Sequence, residues 1–239
     1  MKTRAEIKKE SREKLKTSYG SYLGVSAVEF IIVAFTGYII FRLNNNLDFI
    51  TTVVMGLLEF GLIICYREIR DQGKYDMGKL FAGVGKPTSK LLALILILSI
   101  PTLLANLFQY IADISLVNED PEMAILNLFL VLCFLIISIV VKLFYYWTTY
   151  ILVDNPDMTI GEVLTTTRKL TKDHVGDLFV YGLSWILWAL AVGISCGLAL
   201  LYVGPYMSLT TLNLYEEYRN EVFPESQGEV RWETPELPL

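Results

Sequence analysis

Long stretches without a charged residue most constrain how this chain can fold. No Asp, Glu, Lys or Arg occurs in residues 91–112 or in residues 178–215. A helix on the surface of a water-soluble protein needs a polar face every few residues, and these stretches have none. Apolar runs of this length are typical of helices that cross a bilayer, whose hydrocarbon core is about 30 Å thick. The hydrophobic content of 54% agrees with that interpretation.

Six membrane spans can be placed on these runs, so the predicted fold is an all-α, polytopic helical bundle. The predicted spans are residues 20–41, 48–66, 91–112, 124–151, 178–196 and 198–215. As one helix, residues 178–215 would be about 57 Å long, whereas two helices of about nineteen residues each fit the bilayer. We place the turn at Ser195, Cys196 and Gly197, because glycine permits a reversal. One tilted helix with a re-entrant segment is left open as an alternative.

The charge distribution predicts how the chain is organised across the membrane. Residues 1–19 form a basic amphipathic helix, residues 20–218 the six-span domain, and residues 219–239 an acidic, disordered tail. Eighteen basic residues fall in segments on one side, whereas Arg42 is the single basic residue of the opposite loops. The positive-inside rule then predicts a multi-pass cell-membrane protein with both termini in the cytoplasm. We expect the basic N-terminus to contact anionic lipids of the inner leaflet, and not nucleic acid.

Three of the predicted cytoplasmic segments have the pattern of amphipathic helices that lie on a membrane. The first begins with a capping box, Thr3 to Glu6, and the third with another, Thr159 to Glu162. The apolar faces are Ile7 and Leu15 in the first, Met77, Leu80, Phe81 and Val84 in the second, and Ile160, Val163, Leu164 and Leu170 in the third. We therefore expect these faces to rest on lipid.

Three ionisable residues lie inside the predicted spans, where charge is costly and often functional. Glu29, Glu59 and Lys142 all fall roughly 10–14 Å from the cytoplasmic edge of the membrane, at 1.5 Å of rise per residue. Residues at one depth could pair across neighbouring helices. Three interpretations are open: a structural ion pair with the second acid protonated or hydrated, a proton or cation relay, and separate side chains that reach toward water without contact.

Pro205 and Tyr206 mark a predicted irregularity in the sixth span. Proline removes one backbone hydrogen bond of the helix, and Tyr206 could donate to the carbonyl that is freed. The pattern predicts either a kink or a break of the kind that lines a substrate cavity in transporters.

Aromatic residues near the inner end of the fourth span predict a membrane-interface belt. They are Tyr145, Tyr146, Trp147 and Tyr150. Trp185 and Trp188 lie deeper, in the fifth span, and are expected to fill the bundle.

No pattern predicts a catalytic, cofactor or metal site. Cys65, Cys133 and Cys196 lie in separate apolar runs, so neither a disulfide framework nor a zinc site is indicated. His174 could pair with Asp177, but no nucleophile is linked to them, and we expect a solvated histidine. A lipid-modifying enzyme would need a polar set at one interface. The one such set, Asp154, Asn155, Asp157 and His174, is better explained as helix caps and loop residues. The chain is therefore not expected to be an enzyme.

Short motifs in a fixed order resemble a known family. They are Met1–Lys8 with Leu15 and Tyr19–Gly20, then Tyr150–Pro156, Gly161–Leu164 and Gly176–Phe179, and finally Gly204–Tyr206 with Leu214–Tyr215. This set resembles domain of unknown function 975, a family of integral membrane proteins of Gram-positive bacteria. The chain departs from the family pattern at Thr167 and at Asp173 and His174. The resemblance implies a polytopic bacterial membrane protein and carries no catalytic residues.

The pattern favours a non-enzymatic binding or structural membrane component. Its partner would be a protein or a lipid, with envelope protection as one role, and a homo-oligomer is compatible with the sequence. The alternative is a small transporter or permease subunit that uses Glu29, Glu59 and Lys142. A polar cavity that reaches these residues would favour transport, whereas a dry core with the three paired would favour the structural role.

Overall fold

The computed structural model describes residues 2–43, 48–118 and 120–223, and within these ranges the fold is all-α. The helices are α1 (Arg4–Thr17), α2 (Tyr19–Leu43), α3 (Asp48–Gln72), a 3₁₀ helix (Met77–Phe81), α4 (Thr88–Val117), α5 (Pro121–Phe144), α6 (Thr148–Asp154), α7 (Ile160–Thr171), α8 (Val175–Leu183), α9 (Ile186–Ile194) and α10 (Leu200–Val222). The all-α prediction is confirmed.

Five helical stretches of the described chain are long and apolar enough to cross a membrane. They are Tyr19–Arg42, Phe49–Gln72, Thr88–Val117, Pro121–Asp154 and Val175–Ile194. Each overlaps one of the first five predicted spans, with limits that differ by one to six residues. The sixth predicted span lies in α10, which does not meet the same standard of apolarity, so six spans remain a prediction.

The four longest apolar helices pair in chain order. α2 packs against α3, and α4 packs along α5 over most of its length. Both pairs present large apolar side chains at the surface, as expected where lipid covers the helices. Among the most exposed are Ile31, Phe35 and Phe41 on α2 and Ile125 and Phe129 on α5.

The N-terminal helix is set by its cap and by a buried stripe. The hydroxyl of Thr3 accepts a hydrogen bond from the Glu6 backbone, and the Glu6 side chain accepts one from Thr3, which confirms the predicted capping box. Ile7, Ser11 and Leu15 are buried, and α1 packs mainly against α10. The apolar face that was expected to rest on lipid is therefore covered by protein.

The third predicted surface helix is α7, and its capping box at Thr159 and Glu162 is also confirmed. Val163 and Leu170 are fully buried, so this helix too turns its apolar face toward the protein.

The second predicted surface helix is only a 3₁₀ helix, Met77–Phe81. It packs against α3 at Gly61, where a Cβ atom would overlap the carbonyl oxygens of Lys79 and Leu80. Leu80 is buried in this contact, whereas Phe81 and Val84 are exposed. The expected amphipathic α-helix is wrong here, because the segment follows the surface of α3 too closely to continue as an α-helix.

The predicted reversal between the fifth and sixth segments is confirmed. Cys196 has a φ of 50° and Gly197 a φ of 91°, so the chain turns through two left-handed residues. Trp188 then contacts Tyr202, with ring centroids 6.1 Å apart. Farther from the turn, Tyr181 shares a hydrogen bond of 2.8 Å with Thr211. These contacts show that α8 and α9 run antiparallel to α10.

The C-terminal part of α10 includes residues 219–222, which were predicted to belong to the disordered tail. The helix ends at Val222. The rest of the predicted acidic tail, residues 224–239, lies outside the described residues.

Candidate functional site

Two of the three predicted intramembrane residues meet at one cavity. Glu29 on α2 and Glu59 on α3 both line a half-open cavity of about 360 Å³ between α2, α3, α10 and the segment after α5. Glu29 is half-buried, and Glu59 is exposed at the protein surface. The polar groups that share the wall with them are Tyr66, Tyr146, Tyr150, Ser208 and Thr211. Among the described residues, the lining contains two carboxyl groups and no basic side chain.

A second cavity, of about 270 Å³, adjoins the first between α2 and the first turns of α10. The two share Glu29, Met55 and Ser208 in their linings. Its other walls are largely apolar, with Leu23, Ala27, Phe30, Val33, Leu200 and Leu201. Together the cavities form a crevice that is acidic at one end and apolar at the other.

Contacts between α2 and α3 hold the two acids on the same wall. Ser26 and Tyr66 share a hydrogen bond of 2.5 Å through their hydroxyls. The Tyr22 and Tyr66 rings lie 4.9 Å apart, centroid to centroid, and both side chains are buried. Because α2 and α3 are antiparallel neighbours, residues at equal depth come together. Equal depth was the reason for grouping Glu29 with Glu59.

Lys142 is not part of this wall. Its side chain is exposed on α5, and it lines neither cavity. Among the described residues it makes no ion pair with Glu29 or Glu59. α5 packs mainly along α4, and this places Lys142 away from the acids although its depth is similar. The ion-pair interpretation therefore has no contact to support it.

Of the two outcomes predicted at Pro205, the break of the helix is wrong, and the kink stays a prediction. α10 is continuous through Pro205, in place of a break, and both Pro205 and Tyr206 are buried. The Tyr206 hydroxyl donates to the carbonyl oxygen of Lys8 at 3.4 Å. The carbonyl that proline leaves without its helical partner is that of Leu201, and the hydroxyl of Tyr19 donates to it at 3.2 Å.

A buried ion network joins α3, α6 and α10 beside the cavity. The carboxylate of Asp154, whose side chain is 1% exposed, accepts from Arg67 at 3.1 Å, from Arg219 at 2.9 Å and from Tyr215 at 2.6 Å. Glu216 accepts from Arg70 at 2.5 Å. The sequence indicated only that these arginines lie on one side of the membrane.

The polar set considered for an enzyme does not assemble around a nucleophile. Asp154 is held in the ion network, and His174 stacks on Tyr218 with ring centroids 4.0 Å apart. His174 is buried, so the expectation of a solvated histidine was wrong. In the part of the chain that the structure describes, no three His, Cys, Asp or Glu side chains lie close enough together to hold a metal ion.

Two of the four residues of the predicted aromatic belt, Trp147 and Tyr150, lie instead in a buried cluster, whereas Tyr145 and Tyr146 are half-buried. α5 ends at Phe144, and the turn that follows carries Trp147 into the protein, where it is fully buried. Trp147 contacts the rings of Tyr150, Tyr215 and Tyr218. Trp147 is buried because the helix is interrupted between α5 and α6. The apolar content of the sequence does not reveal this interruption.

Several wall residues of the cavity were missed by the sequence analysis, although a signal existed. Tyr66 lies seven residues after Glu59 and therefore on the same face of α3. Ser208 and Thr211 are three residues apart on α10, within a stretch otherwise treated as a span. The spacing of Tyr66 from Glu59 would have indicated part of the wall, whereas Ser208 and Thr211 lie on another helix and no local pattern links them to the acids.

The fold and the cavity define a helical-bundle integral membrane protein. The chain belongs to the family described as protein of unknown function DUF975, which matches residues 1–221. The family resemblance of the short motifs is thereby confirmed. No curated protein and no solved structure matches the chain.

Proposed function

We propose that this protein is a non-enzymatic membrane protein that binds a cationic, partly apolar molecule in the crevice between α2, α3 and α10. One observation carries the proposal. Glu29 and Glu59 face a single cavity, and none of the described residues that line it has a basic side chain. A positive group bound there gains Coulomb energy in an environment far less polar than water.

The shape of the crevice matches a ligand with two different ends. The larger cavity offers carboxyl groups and hydroxyls, whereas the adjoining one offers Leu, Val and Phe side chains. Tyrosine rings at the acidic end add favourable faces for a cation. A lipophilic cation would place its charge near Glu59 and its apolar part against α2.

Transport is the second candidate, and one feature favours it. Glu29 and Ser208 line both cavities, so a molecule that moves from one to the other passes the same carboxyl group. Intramembrane acids in such positions mark ion or substrate paths in transporters. The predicted transporter used Lys142 as well, and the crevice leaves this residue out.

The remaining expectations form part of the same proposal. We place the protein in the cell membrane of a Gram-positive bacterium, with both termini in the cytoplasm, as the basic residues favour. A role in envelope protection would follow if the bound molecule were a membrane-active cation.

Tetraphenylphosphonium is the probe that tests the binding site, because it is a lipophilic cation with a close anionic analogue, tetraphenylborate. We expect the purified protein in lipid nanodiscs to bind the cation and not the anion, as measured by calorimetry. Glu59→Gln and Glu29→Gln should each weaken binding of the cation by about tenfold, which corresponds to about 1.4 kcal/mol.

Glu13→Gln is the matched control, since it removes one carboxylate from an exposed position of α1, outside the crevice. Its affinity should stay within twofold of the unchanged protein. Equal binding of cation and anion, or unchanged affinity in both crevice variants, would contradict the proposal. Thermal melting of each variant separates loss of binding from loss of folded protein.

A further inference from the structure

α10 packs against α1 and bonds to the residues that flank it. At one end the Lys2 backbone donates to Glu217 at 2.6 Å, and near the middle the Asn213 side chain donates to Ser11 at 2.8 Å. At the other end is the bond from Tyr19 to Leu201. The distance along α10 from Leu201 to Glu217 is about 24 Å, close to the thickness of the hydrocarbon core.

The antiparallel partner of α10 is tied to the same helix. Arg4 lies 3.6 Å from the carboxylate of Asp177 at the start of α8. One helical turn further along α1, Lys8 donates to Ser184 at 2.6 Å, and its ammonium lies 4.7 Å from the centre of the Trp185 ring. Thus α1 extends beside α8 up to the point where α9 begins.

The composition of α1 determines the depth in the membrane at which α1, α8 and the helix α10 lie. The charged residues of α1 are Arg4, Glu6, Lys8, Lys9, Glu10, Arg12, Glu13, Lys14 and Lys16. A helix with nine charges among fourteen residues belongs in water or among lipid headgroups, because every charge moved into hydrocarbon is penalised. If α10 crossed the membrane, it would carry the whole of α1 across the hydrocarbon with it.

The end of the hairpin, residues 186–201, has a different character. α9 has no buried residue, and its nearest packing partner is α10. Most of the large side chains here are apolar and exposed, with Leu187 76%, Ile194 87% and Leu198 72% accessible. Trp188 is half-buried, and Leu200 and Leu201 line the cavity beside α2. No charged residue occurs in residues 186–201. This is an apolar surface that the described protein leaves uncovered.

Aromatic rings separate the charged layer from this apolar end. Trp185, Trp188, Tyr202 and Tyr206 pack together at its base. The Arg12 guanidinium lies 5.6 Å from the centre of the Tyr206 ring. Tryptophan and tyrosine with neighbouring basic residues are typical of the headgroup level of a bilayer.

We infer that the hairpin of α8, α9 and α10 does not cross the membrane: its apolar end, residues 186–201, inserts into the leaflet on the side of α1. The occupant of the exposed face is the acyl-chain layer of that leaflet. α9 is about 14 Å long, which reaches to the middle of a core about 30 Å thick and no further. The apolar length of Val175–Ile194 would suffice for a span, but the contacts of α8 with Arg4 and Lys8 hold its first half at the surface.

This inference leaves four spans, α2 to α5, and keeps both ends of the described chain on the same side of the membrane. The position of the hairpin is independent of the proposed ligand, because it follows from contacts of α1, α8, α9 and α10 and not from Glu29 or Glu59. It differs from both possibilities left open by the sequence, because neither α8 with α9 nor α10 crosses the membrane.

The native Cys196 at the tip of the hairpin is the reporter for a test. In cells that express the full chain, a membrane-impermeant maleimide is applied from outside and, in inverted membrane vesicles, from inside. Every protein in the test carries Cys65→Ser and Cys133→Ser, so that a single thiol is labelled. Lys14→Cys on the exposed face of α1 and Asn118→Cys at the end of α4, each also with Cys196→Ser, report the two aqueous sides. We expect each control to react from one side, and Cys196 to react from neither side until the protein is unfolded in detergent, because a thiol in hydrocarbon does not form the reactive thiolate.

A nitroxide attached to Cys196 gives an independent measurement in anionic lipid vesicles. We expect its collisions with oxygen to exceed those with a polar nickel complex by at least tenfold, as for a probe in hydrocarbon. The same label at Lys14→Cys should show the reverse preference. Reaction of Cys196 from the side of Asn118→Cys would establish a true span. Reaction from the side of Lys14→Cys, or a water-like nitroxide, would show that the tip does not insert, and either result overturns the inference.

Discussion

The hydroxyl of Tyr19 donates a hydrogen bond, 3.2 Å long, to the carbonyl oxygen of Leu201. Pro205 has no N–H to offer this carbonyl, so an aromatic side chain at the start of α2 replaces a backbone donor of α10. The bond joins residues 182 positions apart in the chain and fixes the first turn of α10 to α2. This relationship explains how α10 continues through a proline.

The first prediction concerns this bond. Tyr19→Phe keeps the ring and removes the donor, so it should lower the apparent free energy of unfolding by about 1 kcal/mol. In a Pro205→Ala background the helix supplies its own N–H, and the same change should cost little. The measurement is a double-mutant cycle by denaturation in mixed micelles. An equal cost in both backgrounds would refute the compensation, and Tyr38→Phe, at an exposed position, is the control.

The second prediction concerns the ion network. Asp154→Asn leaves Arg67 and Arg219 without the carboxylate that faces both. Breaking a buried ion pair by removing one partner costs about 3–5 kcal/mol, and we expect a loss of this order. Asp71→Asn removes a carboxylate that is 50% exposed and should cost less than about 1 kcal/mol. Similar melting temperatures for the two variants would show that the network contributes nothing beyond a surface pair.

The third prediction concerns the contact of α3 with the 3₁₀ helix. A Cβ atom at Gly61 would overlap the Leu80 carbonyl, which is backbone and cannot rotate away. Gly61→Ala should therefore destabilise the protein by about 1–3 kcal/mol or prevent its accumulation in membranes. Gly161→Ala is the control, because nothing lies within 4 Å of the added atom and alanine favours the helix. A well-folded Gly61→Ala variant would show that the 3₁₀ helix can move away from α3.

The fourth prediction concerns pH and the cap of α7. Hydrogen bonds from the backbone and then the hydroxyl of Thr159 lower the pKa of the Glu162 carboxyl. Because the folded-state pKa lies below the unfolded value, the carboxylate stabilises α7 at neutral pH. That stabilisation disappears as the pH falls below the ordinary value of 4.5.

Thr159→Ala should lower the melting temperature at pH 7, since loss of an N-cap costs about 1 kcal/mol. The difference from the unchanged protein should shrink at pH 3.5. Thr165→Ala, in the same helix but not at the cap, should have little effect at either pH. A pH-independent effect of Thr159→Ala would exclude the carboxylate as part of the cap.

The spans could be predicted because their signal is local. A run such as residues 91–112 has no charge anywhere, and only a bilayer or a fully buried core tolerates it. Both capping boxes were equally local, as was the turn at Gly197, which needs a positive φ. These features depend on residues a few positions apart.

The partners of the amphipathic faces could not be predicted in the same way. Ile7 and Leu15 indicate an apolar face on α1, but periodicity does not say whether lipid or another helix covers it. Depth placed Glu29, Glu59 and Lys142 at one level, yet which helices are neighbours and how each is rotated depend on the whole bundle. The hydrogen bond from Tyr19 to α10 could not be predicted for the same reason, because it joins residues that are far apart in the chain.

The pairing of α1 with α10 also has a consequence for synthesis of the chain. Ser11 and its partner Asn213 are 202 residues apart, and at 5–20 residues per second a ribosome needs roughly 10–40 s to make that interval. Throughout that time the buried stripe of α1 has no α10 to pack on, while α2 to α5 are already being inserted. The stripe of Ile7, Ser11 and Leu15 therefore reaches its buried position only after the last helix of the fold has been made.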